Sequence, residues 1–97
     1  MGEKMTVLTT MTEEDLRILL ATNKVIHRSF TIKQASIPSP TYNASLEFDD
    51  SAESVHGIIN IGNDIIDFYG TTLEELKKEF KISIEEYIAF LEQDEAK

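Results

Sequence analysis

A chain of 97 residues with no cysteine leaves room for one small domain and excludes disulfides and thiolate metal sites. Nothing after Met1-Gly2-Glu3-Lys4-Met5 forms the apolar core of a signal peptide, and no apolar run is long enough to span a membrane, so the cytoplasm is the expected location. The net charge of −9 is unevenly placed, with five basic and four acidic groups in residues 1–41 but four basic and fourteen acidic groups in residues 42–97.

In chain order, Met1–Met11 is polar, Thr-rich and aperiodic, and reads as a loose arm. Thr12-Glu13-Glu14-Asp15 reads as a helix start, with Thr12 as cap and three acidic groups where the helix dipole favours them. Leu16, Leu19 and Leu20 give that helix a short apolar stripe, with Ile18 off it and an end near Thr22. Val25–Ile32 is rich in β-branched and aromatic residues and is a candidate strand. Pro38 and Pro40 make Ala35–Thr41 a linker. Tyr42–Phe48 alternates strictly: Tyr42, Ala44, Leu46 and Phe48 fall on one face, Asn43, Ser45 and Glu47 on the other. A polar turn at Asp49–Ser54 leads to a strand at Val55–Ile61, where Gly57 marks a bulge or a close approach. Gly62-Asn63-Asp64 is a short turn, and Ile65–Tyr69 is the next strand. Thr72 and Glu75 have the spacing of a capping box for a helix running to about Gln93. Leu73, Leu76, Phe80, Tyr87 and Leu91 line its apolar stripe, and Ile84 and Ile88 widen it. About twenty helical residues span roughly 30 Å, more than three short strands cover, so the last turns are expected to meet another chain or the N-terminal segment.

The expected fold class is therefore α+β: a three-stranded antiparallel β-meander followed by one long helix, preceded by a shorter helix and one further candidate strand. Residues 1–41 form an N-terminal extension and residues 42–97 the main domain. A chain of this size buries only about 60–65% of its unfolded surface, which makes a homodimer an easy way to cover leftover apolar faces.

The ordered set Tyr42–Asp50 (YNASLEFDD), His56–Ile59 (HGII), Ile61–Asp64 (IGND), Ile65–Gly70 (IIDFYG), Thr72–Leu76 (TLEEL) and Phe80 with Ser83–Tyr87 (SIEEY) is similar to the HicB-type antitoxins of bacterial toxin–antitoxin pairs. The resemblance covers residues 42–93, about half the chain. It implies a partial ribonuclease-H-like fold, usually dimeric, that binds and masks a small basic toxin of the HicA type, which cleaves mRNA with a histidine. Many members also carry a C-terminal domain that binds their own operator. The chain ends at Lys97, directly after the helix, which puts operator binding in doubt, and about forty residues in front have no counterpart in the family.

An enzyme is not expected, and no cofactor or metal. Asp49-Asp50 and Asp64 fall in different turns and cannot easily converge on metal ions, and with Asp67 they read as solvated groups. His27 and His56 read as half-exposed packing residues, and there is no phosphate loop, nucleophile elbow or metal-spaced pair. Glu74, Glu75, Glu79, Glu85, Glu86 and Glu92 mark the outer helix face, which is a solvated face or a steering surface for a basic toxin. The expected partner interface is Glu47, Asp67 and Tyr69 on the sheet, combining charge with an aromatic anchor, together with Glu74 and Glu79 on the helix. Lys24, Arg28 and Lys33 are too few for a nucleic-acid footprint and more simply offset the acidic half. Two rivals stand beside the antitoxin: an orphan module that kept the fold without a toxin, and a nuclease remnant.

Overall fold

A computed structural model describes residues 6–33 and 40–95, with side chains as far as Leu91. Its elements are β1 (Thr6–Thr9), α1 (Glu13–Ala21), β2 (Ile26–Lys33), β3 (Thr41–Asp49), β4 (Ser54–Ile61), β5 (Asp64–Gly70) and α2 (Leu73–Glu95). The fold is α+β, but the antiparallel sheet has five strands in the order β1-β2-β3-β4-β5 rather than three. Two strands from the N-terminal segment extend the expected meander. Most of the residues expected to form a linker lie outside the described part; Pro40 accepts a backbone bond from Ile32, and Thr41 opens β3.

The arm expected at residues 1–11 is in part β1. Four residues are too few to show a period, and β1 is specified by its partner. Val7 lies opposite Ile32 and Thr9 opposite Phe30. The Thr9 hydroxyl donates to the Ser29 carbonyl at 2.7 Å, and the Ser29 amide donates to the Thr10 hydroxyl at 2.9 Å. Met11 follows into the core at 3% exposure.

Helix α1 begins as its sequence expects. The Thr12 hydroxyl accepts from the Asp15 amide at 3.1 Å, and the Asp15 carboxylate accepts from the Thr12 amide at 2.9 Å. Asp15 also receives Arg28 in a two-pronged pair, Nε at 2.9 Å and the outer nitrogen at 2.8 Å. Arg28 is thus committed within its own chain. The buried side of α1 is Asp15, Leu16 and Leu19. With Asp15 on that side, Leu20 turns outward and is exposed, contrary to the expected stripe, and Ile18 is half-buried.

The Arg28 hydrogen bonds, foremost, hold the Asp15 carboxyl below its ordinary 3.8. A carboxylate whose folded-state pKa is depressed stabilises the fold above the unfolded value and loses that contribution as the pH falls through the folded one. Asp15→Asn should therefore cost about 1–2 kcal/mol at neutral pH. Urea midpoints of the two proteins should converge as the pH drops below 3.8.

Alternation then assigns the faces. Phe30 and Ile32 of β2, Ala44 and Leu46 of β3, Val55 and Ile59 of β4, and Ile66 and Phe68 of β5 form one core with Leu16 and Leu19 of α1 and Leu76, Phe80 and Ile84 of α2. Both helices therefore cover the same face. Gly57 shows a close approach rather than a bulge, because its missing Cβ leaves room for the Phe68 ring directly opposite. Gly62, at φ +59°, turns the two-residue loop between Ile61 and Asp64. At the start of α2 the Thr72 hydroxyl accepts from the Glu75 amide at 3.0 Å as expected. The Glu75 carboxylate, however, accepts from the amide and hydroxyl of Thr71 instead of closing the box on Thr72. Those bonds hold its carboxyl below the ordinary value.

Helix α2 lies along β5 and also reaches β1, so the sheet curls about it. Its stripe is centred on Leu76, Phe80 and Ile84, with Leu73 and Tyr87 half-buried, while Ile88, Phe90 and Leu91 stay exposed at its far end. Among the described residues, no helix is long and apolar enough to cross a membrane.

Candidate functional site

Among the described residues, both helices lie on one face of the sheet and nothing covers the other. Register decides what meets there. Glu47 of β3 lies opposite His56 of β4, and His56 lies opposite Tyr69 of β5. In the next row Ser45 lies opposite Ile58, and Ile58 opposite Asp67, while His27 of β2 lies opposite Ser45. Three expected interface residues, Glu47, Asp67 and Tyr69, are thereby brought around one histidine.

His56 organises this group. Its ring stacks on that of Tyr69 with centroids 4.2 Å apart and planes 3° from parallel. Its Nε2 lies 3.1 Å from an Asp67 carboxylate oxygen. The His56 side chain is only 17% exposed while that of Asp67 is 57% exposed, so the histidine is shielded and the carboxylate is presented to solvent. Loss of solvent, then the charges of Asp49 and Asp67, raise the Tyr69 hydroxyl above its ordinary 10.0. Tyr69 therefore remains a neutral donor across the neutral range.

Glu79 joins this group at its margin. It lines a shallow cleft of about 210 Å³ with Ser54, Tyr69, Gly70 and Glu75, where the start of α2 meets the end of β5. Glu74 is exposed on α2 and does not line this cleft. Asp49 and Asp64 stand at opposite ends of β4, and Asp64 accepts the Tyr87 hydroxyl at 2.9 Å. Among the described residues, no group of three or more His, Cys, Asp or Glu is placed to hold a metal ion. On the same bare face the Ser45 hydroxyl lies 3.2 Å from His27 Nδ1.

His56 packs half-buried on Tyr69, and its place between Glu47 and Tyr69 is not legible in residues read singly. The available signal was the hairpin itself: closing Asp49 against Ser54 puts His56 beside Glu47. Chemically, the arrangement offers an aromatic platform beside solvent-facing carboxylates, which suits a cationic side chain. No family model, curated protein or solved structure matches the chain.

Proposed function

We propose that the chain is an antitoxin-like binding protein that neutralises a small basic mRNA-cleaving toxin of the HicA type by masking its active site. On this reading, residues 42–93 are a partial ribonuclease-H-like unit of the HicB type, and the bare sheet face is the contact surface. The observation that carries the reading is the group formed by Glu47, Asp67 and Tyr69 around His56 on a face that no helix covers. The charge of residues 42–97, with fourteen acidic against four basic groups, supports it by drawing a cationic protein toward that face.

The test is to mix the purified chain with any small basic protein encoded beside its gene. A stable complex should form, RNA cleavage by the partner should stop, and the association rate should fall as salt rises. Tyr69→Ala should weaken the complex about thirtyfold, which corresponds to about 2 kcal/mol at an aromatic anchor. Paired Glu47→Gln and Asp67→Asn changes should act mainly by slowing association. Absence of a complex with any neighbouring basic protein would end this reading.

A further inference from the structure

The sheet has two edges, β1 and β5. On β5 the Asp67 carbonyl accepts the Ser83 hydroxyl at 3.1 Å, which places the backbone polar groups of residue 67 on the side away from β4. In an antiparallel strand the amide and carbonyl of one residue point the same way, and alternate residues match. Ile65 and Tyr69 therefore also turn their amides and carbonyls outward. Among the described residues, the Asp67 carbonyl is the one group of this outward set with a partner.

Two clefts flank this edge. Near Ile65, a groove of about 320 Å³ runs between β5 and α2, bounded by Ile65, Asp67, Ser83, Glu86, Tyr87 and Phe90. Ile65 is 70% exposed and Phe90 62% exposed, so the groove offers bare apolar surface. Near Tyr69 lies the cleft shared with Glu75 and Glu79. Aside from the tyrosines, every titratable side chain lining the two clefts is acidic: Asp67, Glu75, Glu79 and Glu86. A second copy pairing through this edge would bring like charges together. A cationic strand would find complementary charge at Asp67, Glu75, Glu79 and Glu86.

We propose that β5 accepts an added strand: an extended, cationic segment of the partner protein. Its backbone pairs with residues 65, 67 and 69. One basic side chain lies against Tyr69 beside Glu75 and Glu79, and an apolar side chain four residues away lies against Ile65 and Phe90. Four residues of strand cover about 13 Å, the rise along β5 from Ile65 to Tyr69. Strand addition supplies affinity through the main chain and selectivity through the flanking side-chain sites. The Ser83 hydroxyl holds the central carbonyl and is the bond the incoming strand exchanges. This inference rests on the partner being a cationic protein, and it adds the conformation in which that partner is held.

The test uses the full chain and a threonine-rich peptide carrying an arginine and, four residues away, a valine. Backbone amide exchange is followed by NMR. In the free protein, Ile65, Asp67 and Tyr69 should exchange fast and Ile66 and Phe68 slowly. Saturating peptide should slow the first three at least tenfold. Backbone N-methylation of the peptide, or glutamate in place of its arginine, should abolish the effect. Glu79→Gln and Phe90→Ser, both changes at the rim, should each weaken binding severalfold without altering the exchange of Ile66 or Phe68. The inference is overturned if the N-methylated peptide binds equally well or if the peptide perturbs only the Glu47–His56 region. It is also overturned if the three amides are already protected in proportion to protein concentration, as pairing with a second copy would require. A toxin that binds tightly while these amides stay unprotected would sink strand addition and leave the binding function intact. Protection by the peptide without binding of any basic toxin would do the reverse.

Discussion

Replacing Phe80 with alanine should lower the free energy of unfolding by about 3–5 kcal/mol, a large part of the 5–15 kcal/mol typical of a small domain. Phe80 is fully buried at the middle of the α2 stripe. Its ring lies 5.0 Å from Phe30, 5.7 Å from Phe68 and 5.9 Å from Tyr42, centroid to centroid. One helical side chain thus joins β2, β3 and β5, and its loss leaves a cavity that three strands would have to close. Pairs of this kind add about 0.5–1.5 kcal/mol beyond the area they bury. Urea denaturation should find Phe80→Leu much milder, because it keeps most of the volume. Phe90→Ala, on the exposed side of the same helix, should stay within about 0.5 kcal/mol of the parent. Equal costs at positions 80 and 90 would mean that the helix buries a different face.

Gly57→Val should be the second large loss, at the upper end of the roughly 1–3 kcal/mol typical of overpacking. Even a Cβ at this position would lie 2.4–2.8 Å from three atoms of the Phe68 ring. That ring cannot retreat freely, because it meets Phe30 edge-on at 5.4 Å and Phe80 at 5.7 Å. Strand propensity pulls the other way, since glycine inside a strand is unfavourable by roughly 0.5–1 kcal/mol relative to alanine. The steric contact outweighs it. Denaturation of Gly57→Ala, Phe68→Leu and the double variant should show non-additivity, with the smaller ring site relieving part of the glycine substitution. Strictly additive costs would mean that residues 57 and 68 do not meet across β4 and β5.

Both results depend on a layout that was partly legible beforehand. The alternation of Tyr42–Phe48, the turn residues at Gly62-Asn63 and the spacing of Leu76, Phe80 and Ile84 are local patterns. A period of two or of 3.6 identifies an element without knowledge of its neighbours. The capping role of Thr12 was visible for the same reason. Glu47, Asp67 and Tyr69 were chosen for combining charge with an aromatic anchor, and the register then placed them on one face. Their assembly around His56 was not legible, because it depends on which residues the hairpin places opposite one another. Glu74 and Glu79 looked alike in sequence, yet only Glu79 falls where α2 meets Tyr69.

The sequence by itself determined the elements from α1 to α2, the acidic character of residues 42–97 and the apolar faces that would have to be buried. Each is stated by residues a few positions apart. Tertiary structure alone decided that Thr6–Thr9 is a strand, that Asp15 and Arg28 pair, that the sheet has five strands and that both helices take the same side. Those outcomes join residues distant in the chain, and a short segment such as β1 carries too few side chains to announce a period. Pairing across the sheet supplies what its own sequence lacks.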